Sequence, residues 1–585
     1  MKNNGYSVER GTLCLIALLK AHNIKRIVAS PGTTNIVFVG SVQNDPWFEV
    51  YSSVDERSAA YIACGMAAES GEPVAVVCTG ATASRNYMPG LTEAFYRKLP
   101  VLAITYNAGI HSRYQLIAQQ IDRSVIPNDV SRMAVNVPII KDNDDEWHAN
   151  VNINKALLAL RHNGGGPVHI DISTKYSRDF SVFELPHQRV IERITQDAQF
   201  PQIDGYNRIA IFIGSHKKFS EEETLLIDQF CSAFNSVVFC DHTSGYHGKY
   251  RFLSAFVGAQ GCHEAFDNID LLIHLGEVSG DYYVPLNPKE VWRVNLDGEI
   301  KDTFRTLRYV FQMPEGTFFE YYGKEREPKG STYLSQCQRE YKNLLTQIPE
   351  LPFSNLWIAK ETASRIPQDS TIHLGILNSL RSWNMFELPT GVESVSNVGG
   401  FGIDGILSSM LGASLVHSDR LTFCVLGDLA FFYDLNALGN RHISNNMRIM
   451  LINNGKGAEF TNFNNTGHVV FGDEAETYIA AAGHFGNQSQ QLIRHFTEDL
   501  GIEYMSASNK DEFLKHINHF TDKNELSKSI IFEIFTDSKD ESDALETISS
   551  LKPDDSKISL KSKIKQGIAE LVGEKGRKII KIIRE

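Results

Sequence analysis

Two short polar segments carry the residue types that could bind a metal ion and a phosphate. Gly427-Asp428 interrupts one apolar run, and Asn453-Asn454 ends the next apolar run along the chain. Aspartate and asparagine offer the hard oxygen ligands that Mg²⁺ prefers, and a backbone carbonyl and phosphate oxygens can complete an octahedron. Gly427 would let the backbone approach a phosphate. From the residues alone an alternative stays open, in which Asp428 caps a helix and the asparagines form a turn.

These segments must be positioned by the elements around them. The apolar runs 421–426 and 449–452 are typical of buried strands, and a helix is expected between them over about 435–442. A β-α-β unit places both polar segments at the carboxyl edge of a parallel sheet, where α/β folds bind ligands.

Short apolar runs alternate with helical patterns along most of the 585 residues, which predicts an α/β protein of three doubly wound parallel-sheet domains. The first domain is expected to contain strands at 26–30, 48–53, 74–78, 101–105 and 168–172, and the second at 209–213, 236–240, 271–275 and 291–294. The predicted boundaries are 1–180, a linker at 181–206, a central domain at 207–330, a connection at 331–353, a third domain at 354–540 and a tail at 541–585. The central domain lacks a dinucleotide fingerprint, so we expect it to bind no nucleotide.

Composition excludes some functions. The formal net charge of −13 argues against a nucleic-acid partner, which would require a basic surface. The eight cysteines show no metal-ligand spacing and are interpreted as buried, reduced thiols of a cytoplasmic protein. No apolar run has membrane-spanning length, and the N-terminal residues lack a signal-peptide pattern.

Two further features suggest a cofactor. Glu56 follows a predicted strand and precedes a helix of small residues; it could be a first-turn glutamate facing the helix dipole, and Asp55 is the alternative carboxylate. Four glycines within residues 399–405 precede another predicted helix, which suits close approach of the backbone to a ligand.

Together these motifs resemble those of thiamine-diphosphate (ThDP) enzymes. The resemblance includes Gly427-Asp428 with Asn454, and residues 54–58 with 74–82. It implies pyrimidine-binding, central and diphosphate-binding domains, and Mg²⁺ held by Asp428, Asn454 and the main chain of Lys456. Glu56 would hydrogen-bond N1′ of the aminopyrimidine and so favour the tautomer that activates the cofactor. The family's site lies between subunits, so a homodimer or a homotetramer is expected.

The loops are similar in particular to those of the 2-succinyl-5-enolpyruvyl-6-hydroxy-3-cyclohexene-1-carboxylate synthase family. This resemblance assigns Gln119 to face the reacting carbon beside the catalytic Glu56. It implies the following cofactor-binding residues: Glu56, Thr82, Asn86, Asn378, Ser379, Gly402, Ile403, Gly427, Asp428, Leu429 and Asn454.

The departures from that family concern arginines that would bind substrate carboxylates. The corresponding positions hold Thr34, Ala108, Trp383 and Val398. Without bidentate guanidinium forks, the basis for binding the family's carboxylate-rich substrates is lost, so we expect a different substrate. The candidate substrate-binding residues are Thr33, Thr34, His111, Arg113 and Arg381.

The resemblance therefore implies decarboxylation of a 2-oxo acid, followed by carboligation of the acyl carbanion to an acceptor, in an enzyme of the transferase or lyase type. A decarboxylase without ligation is the first alternative, and a non-catalytic scaffold with this fold is the second. The partners expected are a small 2-oxo acid and an acceptor that the sequence does not identify.

The last residues form a separate feature. Lysines and arginines alternate with isoleucines and other apolar residues over 559–585, which indicates an amphipathic helix interrupted by glycines. It could pack on a domain surface or subunit interface, or it could dock to a partner or a membrane surface.

Overall fold

The computed structural model describes residues 5–123, 126–261, 265–284, 286–484, 489–525 and 527–552. The predicted amphipathic segment at 559–585 lies outside these residues. The chain divides into two units, Met1–Phe200 with Leu296–Met313, and Pro201–Asn295 with Pro314–Glu585.

The first unit is built on a six-stranded parallel sheet in the order β2-β1-β3-β4-β6-β5. Its strands are β1 (Arg26–Ala29), β2 (Glu49–Ser52), β3 (Val74–Cys78), β4 (Val101–Asn107), β5 (Met133–Val137) and β6 (Val168–Ser173). Its helices are α1 (Arg10–Ala21), α2 (Ile36–Val42), α3 (Glu56–Ser70), α4 (Thr82–Asn86), α5 (Met88–Arg97) and α6 (Asn143–Ala159).

Helices cover both faces of this sheet because its strands are apolar on both sides. Helices α1, α2 and α6 bury one face, and α3 and α5 bury the other. Helices α3 and α5 pack closely at Gly90, where a Cβ would lie 2.5 Å from Cβ of Ala60. Five strands of the sheet were expected from apolar runs, whereas β5 was not, since most of its side chains are only half-buried.

The predicted linker contains a strand, β7 (Glu192–Thr195). A linker was expected because the prolines and mixed polar residues of this segment give no strand pattern, and β7 has only four residues. Its partner lies far along the chain, so no local pattern could reveal the pairing.

The second unit contains the central domain, whose strands form the parallel order β10-β9-β8-β11-β12. They are β8 (Ile209–Ile213), β9 (Val237–Cys240), β10 (Arg251–Leu253), β11 (Leu271–Leu275) and β12 (Glu290–Asn295), with helices α7 (Glu221–Phe234) and α8 (Ala255–Gly258). The next strand, β13 (Leu307–Gln312), belongs to the first unit and pairs parallel with β7.

The strand order of the central domain reverses between β8 and β11, where α/β sheets bind nucleotides. Here the two loops pair with each other: Ser215 N donates to Val278 O at 3.0 Å, and Glu277 N donates to Ser215 O at 2.8 Å. A Cβ on Gly214 would lie 2.0 Å from the Glu277 carbonyl oxygen. The two loops therefore contact each other at this edge, and the absence of a nucleotide from the central domain stays a prediction.

The third sheet has the order β15-β14-β16-β17-β19-β18, all parallel. Its strands are β14 (Thr371–Leu374), β15 (Glu393–Val395), β16 (Thr422–Gly427), β17 (Met447–Asn453), β18 (Glu503–Ala507) and β19 (Ile530–Phe535). The helices after the central domain are α9 (Glu315–Gly323), α10 (Thr332–Leu345), α11 (Asn355–Thr362), α12 (Asn378–Trp383), α13 (Ile406–Val416), α14 (Asp428–Tyr433), α15 (Thr466–Phe471), α16 (Ala475–Tyr478), α17 (Leu492–Asp499), α18 (Lys510–Phe520) and α19 (Ser538–Ile548). The prediction of three doubly wound parallel sheets is confirmed.

The crossing helix between β16 and β17 differs from the prediction. It begins at Asp428 and ends at Tyr433, and residues 435–439 form only a 3₁₀ turn. The reason is Asp434, whose carboxylate accepts hydrogen bonds from N and Oγ of Ser408 at 2.6 Å each. The chain turns at this residue to reach the first turn of α13.

None of the helices in the described part of the chain is both long and apolar enough to cross a membrane. The seven cysteines within the described residues are buried free thiols.

Candidate cofactor-binding site

Asp428 lies at the point where β16 ends and α14 begins. Its side chain is buried, and Oδ2 accepts a hydrogen bond of 3.1 Å from Gly455 N, on the loop after β17. The helix cap is Gly427, and no side-chain capping bond forms there. The aspartate therefore connects the two predicted loops and does not cap its own helix.

Asn454 supplies the second candidate metal ligand. Its Oδ1 is buried and accepts no hydrogen bond from the described residues. Burying an amide oxygen without a partner costs about 1–3 kcal/mol, which a bound cation would offset. A buried oxygen without a hydrogen-bond donor, next in sequence to a residue bonded to Asp428, fits the oxygen ligands that Mg²⁺ prefers.

The preceding residue has a different role. Asn453 Nδ2 donates to Glu533 Oε1 at 2.7 Å, and Tyr504 Oη donates to Glu533 Oε2 at 2.7 Å. Burial raises the pKa of the Glu533 carboxyl above its usual value. Glu533 thus holds Asn453 in the sheet, which leaves Asn454 as the asparagine available to a metal.

Lys456 contributes its main chain to the predicted ligand set. Its carbonyl oxygen accepts a hydrogen bond of 3.0 Å from Ala458 N and has a second lone pair, while its ammonium forms an ion pair with Glu476. No group of three or more His, Cys, Asp or Glu side chains suited to a metal occurs among the described residues. The predicted set consists instead of one carboxylate, one amide oxygen and one main-chain carbonyl.

The loop after β14 carries Asn378 and Ser379 at the start of α12. Leu377 precedes them with φ 66° and ψ −126°, a conformation that costs a non-glycine residue about 1–3 kcal/mol. Leu377 N donates to Tyr282 Oη at 2.8 Å, and Asn355 Nδ2 donates to Ser379 Oγ at 3.2 Å. Such strain persists only where surrounding contacts fix it, as they do here.

The glycine-rich loop leads into α13, as predicted. Gly402 and Ile403 are half-buried, and Ile403 packs against the core around α13 and β16. Leu429, in the first turn of α14, lies near Gly457, where a Cβ would be 3.4 Å from its Cδ1. A Cβ on Gly427 would meet no atom within 4 Å, so open space adjoins the backbone where the diphosphate was predicted.

Arg381 was a candidate for binding a substrate carboxylate, but it has a partner within the protein. Its guanidinium forms a fork with Glu459, with N–O distances of 2.7 and 2.9 Å, and also donates to Asn378 Oδ1 at 2.8 Å. The group lies over the Tyr282 ring at 4.7 Å and is buried. A substrate carboxylate would have to displace Glu459.

In the first unit, Glu56 is the first residue of α3 and is half-buried. Asp55 caps the helix, since its Oδ1 accepts from Ser58 N at 3.1 Å. Asn86 Nδ2 donates to Glu56 Oε2 at 3.3 Å, so two residues predicted to bind the cofactor lie together. Thr82 begins α4 and is exposed; it follows Ala81, whose φ is 52°.

Gln119 and His111 lie on the long connection after β4, and both are exposed. Two arginines hold this connection: Arg123 Nη2 lies 2.6 Å from Asp171 Oδ1, and Arg113 Nη1 lies 2.9 Å from Asp122 Oδ1. Arg113 is therefore engaged by a carboxylate of its own loop.

At the four positions where the resemblance implies arginines, this chain has neutral side chains, and most of them are buried. Thr34 is buried and shares a hydrogen bond of 2.6 Å with Thr79 Oγ1. Val398 and Trp383 are buried, and Ala108 is half-buried. Thr33 instead lines an open cavity beside β2.

Sequence reasoning missed the residues that support the site: Tyr282, Glu459, Glu533, Asp171 and Arg123. An acidic residue inside an otherwise apolar strand was the available clue for Glu533 and Asp171. Tyr282 comes from a loop of the central domain, and no local pattern connects it to Leu377.

The chain is similar to known proteins along most of its length. Residues 10–126 match the family described as "Thiamine pyrophosphate enzyme, N-terminal TPP binding domain". The "2-succinyl-5-enolpyruvyl-6-hydroxy-3-cyclohexene-1-carboxylate synthase" of Bacteroides fragilis is 29% identical over 556 residues, which cover 91% of this chain and 97% of the relative. The proteins of that name from Bacteroides thetaiotaomicron and Flavobacterium psychrophilum are 28% and 25% identical, over 91% and 90% of this chain and 96% of each relative.

The N-terminal match includes the position of Glu56, and the similarity to the relatives extends over most of the chain. The chain is therefore a thiamine-diphosphate-dependent enzyme, similar over about nine tenths of its length to the 2-succinyl-5-enolpyruvyl-6-hydroxy-3-cyclohexene-1-carboxylate synthases.

Proposed function

We propose that this enzyme uses ThDP and Mg²⁺ to decarboxylate a 2-oxo acid and to join the remaining acyl group to a carbonyl acceptor. When bound, the cofactor supplies a nucleophilic carbon and an electron sink for the loss of CO₂. The observation that carries the proposal is the orphan Oδ1 of Asn454, whose next residue, Gly455, donates its N–H to the buried carboxylate of Asp428.

Different residues of this chain would bind the metal, the aminopyrimidine and the substrate. Asp428, Asn454 and the Lys456 carbonyl would hold Mg²⁺, and open space beside Gly427 would admit the diphosphate. Glu56, with Asn86 as its neighbour, would hold the proton at N1′ of the aminopyrimidine. Gln119, on the connection after β4, would orient the substrate carbonyl.

The relatives are named as synthases, which favours ligation over simple decarboxylation. The acceptor is expected to differ from theirs, because the arginine positions are replaced by neutral residues that are buried at Thr34, Trp383 and Val398. The choice of substrate rests on the residues that replace them.

We also propose a homodimer as the smallest active assembly. Helix α3 exposes Tyr61 and Ile62 close to Glu56, and the connection after β4 exposes Tyr114, Leu116 and Ile117. Apolar side chains gathered around a predicted site are typical of a surface covered by a second chain.

Calorimetry with ThDP and Mg²⁺, added together and singly, tests the cofactor assignment. CO₂ release from pyruvate and from 2-oxoglutarate, measured with and without added aldehydes, tests the reaction. Release that rises with acceptor and yields a joined product is expected. Release unaffected by every acceptor would make the protein a decarboxylase, and heat without any turnover would favour a scaffold.

A further inference from the structure

Asn378, the first residue of α12, accepts two hydrogen bonds through one atom of its side chain. Its Oδ1 accepts from Arg381 Nη1 at 2.8 Å and from Asn462 Nδ2 at 3.0 Å. Both donor residues are buried, so water does not compete strongly for these bonds. An amide oxygen has two lone pairs, and both are therefore used within the protein.

A third side chain fixes the two donors. Both carboxylate oxygens of Glu459 accept from Arg381, at 2.7 and 2.9 Å, and Oε2 also accepts from Asn462 Nδ2 at 3.3 Å. A guanidinium–carboxylate bond with two parallel contacts restricts orientation as well as distance. The Arg381 guanidinium therefore cannot turn away from Asn378 without breaking its pair with Glu459.

The neighbours of the Asn378 amide permit only one orientation. An asparagine amide can often be placed either way round, because its oxygen and nitrogen ends have nearly the same shape. The Arg381 guanidinium only donates, so the Asn378 atom that faces it must be the oxygen. The Glu459 carboxylate only accepts, so the Asn462 atom that faces it must be the nitrogen.

The nitrogen end of the Asn378 amide is available to a ligand. Asn378 is half-buried, and its Nδ2 donates to none of the described residues and is not a fully buried atom. The side chain thus offers two N–H donors, while its acceptor is occupied. Such a group suits an anionic oxygen, which accepts strong hydrogen bonds.

Asn378 lies at the edge of the sheet that carries the predicted metal ligands. It follows β14, which is adjacent to β16, and β17 lies on the other side of β16. Glu459 and Asn462 come from the segment after β17, which also contains Asn454 and Lys456. The network therefore joins the loop of Asn378 to the loop of the predicted metal ligands.

From these observations we infer that Arg381 and Asn462, both held by Glu459, are positioning residues that keep the N–H groups of Asn378 free to donate to an anionic oxygen of a ligand. That oxygen belongs to the diphosphate of the cofactor or to the carboxylate of the 2-oxo acid. The inference rests on the proposed function. It adds Glu459 and Asn462, which were not predicted from the sequence, and it changes the role of Arg381 from binding a substrate to holding Asn378.

Asn378→Asp tests the orientation by the sign of its effect. An aspartate would still accept from Arg381 and Asn462, but its second oxygen would replace the N–H groups and repel an anion. The Kd of inorganic pyrophosphate with Mg²⁺, or the KM of the 2-oxo acid, should rise about 100-fold, and about tenfold in Asn378→Ala. Unchanged or tighter binding of both anions in Asn378→Asp would overturn the inference.

Two measurements separate the sources of the anion. Calorimetry with inorganic pyrophosphate and Mg²⁺ reports on the diphosphate, and the KM of the 2-oxo acid at saturating cofactor reports on the carboxylate. A change in the first assigns Asn378 to the diphosphate, and a change in the second alone assigns it to the carboxylate. Asn464→Asp adds the same charge at an exposed position two residues after Asn462 and should change neither value. An equal loss in this control would attribute the effect to net charge and contradict the inference.

A double-mutant cycle shows whether Asn462 acts through Asn378. Asn462→Leu removes the donor with little change in size and none in charge, and it should raise the affected constant several-fold. In the Asn378→Ala background the same substitution should have no further effect, because the amide that it positions is gone. An equal effect in both backgrounds would mean that Asn462 only supports its own loop, and would remove its positioning role.

Failure of the inference can be told apart from failure of the proposed function. Normal pyrophosphate binding and normal turnover in Asn378→Asp would remove the inference and leave the reaction in place. Loss of pyrophosphate binding in Asn378→Asp would support the inference even if no 2-oxo acid is decarboxylated. A wild-type protein that binds neither pyrophosphate nor a 2-oxo acid would remove both.

Discussion

The first and third sheets have the same strand order, but the loops after their central strands differ in length and exposure. In the third sheet the loops after the two central strands are joined by a hydrogen bond, because the buried Asp428 accepts from Gly455 N. In the first sheet the loop after β3 is short, whereas the connection after β4 is long and exposes residues that include Gln119. One arrangement suits fixed binding of an anionic group with its metal, and the other suits contact with substrates and a second chain. The same sheet serves both roles because function depends on the loops.

The largest expected effect is at Glu56, which follows a strand of the first sheet. Glu56→Gln keeps the size of the side chain and its bond to Asn86 but removes the proton-binding carboxylate. We expect kcat to fall by about 10²–10⁴-fold, the usual contribution of general acid–base catalysis, with ThDP affinity nearly unchanged. Single-turnover CO₂ release and calorimetry on the same preparation measure the two quantities. Glu69→Gln, exposed on the same helix, is the control; full activity in Glu56→Gln would remove the assignment.

A substitution at the third sheet should instead weaken cofactor binding. Asp428→Ala removes the one carboxylate of the predicted metal set and the acceptor for Gly455 N, so cofactor affinity should fall on the order of 10²–10³-fold. Titration of ThDP at saturating Mg²⁺ measures the change. Asp419→Ala, at an exposed position, should bind normally. Unchanged affinity in Asp428→Ala would show that the site is elsewhere.

Strands of the first and central sheets could be predicted from sequence, because fully buried strands are continuous apolar runs. Val74–Cys78, Ile209–Ile213 and Leu271–Leu275 coincide with their predicted bounds. The pairing of β7 with β13 could not be predicted, since more than 100 residues separate the two strands.

Residue types and spacing suggested Asp428 and the asparagine pair, and the family resemblance selected Asn454, whereas the residues that support them depend on the tertiary fold. Glu533 reaches Asn453 from β19, and Tyr282 reaches Leu377 from the central domain. The sequence also suggested that Arg381 could bind substrate, but its fork with Glu459 is visible only once α12 and the loop after β17 are in contact.

A buried glutamate beside the third sheet should make the free energy of unfolding depend on pH. Glu541, in the first turn of α19, is buried; it accepts from Asn355 N and from Thr536 Oγ1, and burial raises its pKa to about 7. The folded state then holds the proton more tightly than the unfolded chain does. The free energy of unfolding should therefore fall as pH rises from about 4.5 to about 7, by about 3 kcal/mol from this residue.

Glu541→Gln mimics the protonated side chain and should remove that component of the pH dependence. Urea unfolding of wild type and variant at several pH values between 4.5 and 8 measures the difference. Glu546→Gln, exposed on the same helix, should retain the wild-type slope. Parallel slopes for wild type and Glu541→Gln would contradict a raised pKa at this position.

The smallest expected effect is at Tyr282, a residue of the central domain that contacts the turn before Asn378 in the third domain. Tyr282→Phe keeps the ring under Arg381 but removes the oxygen that accepts from Leu377 N. Loss of this bond should cost about 1 kcal/mol and loosen the strained turn before Asn378, so the Kd for ThDP should rise a few-fold. Tyr333→Phe also removes a buried hydroxyl, one bonded to Ala265 O, and should leave the Kd unchanged. If both variants bind alike, the strain at Leu377 is maintained by the third domain alone, and the central domain has no part in holding the cofactor loop.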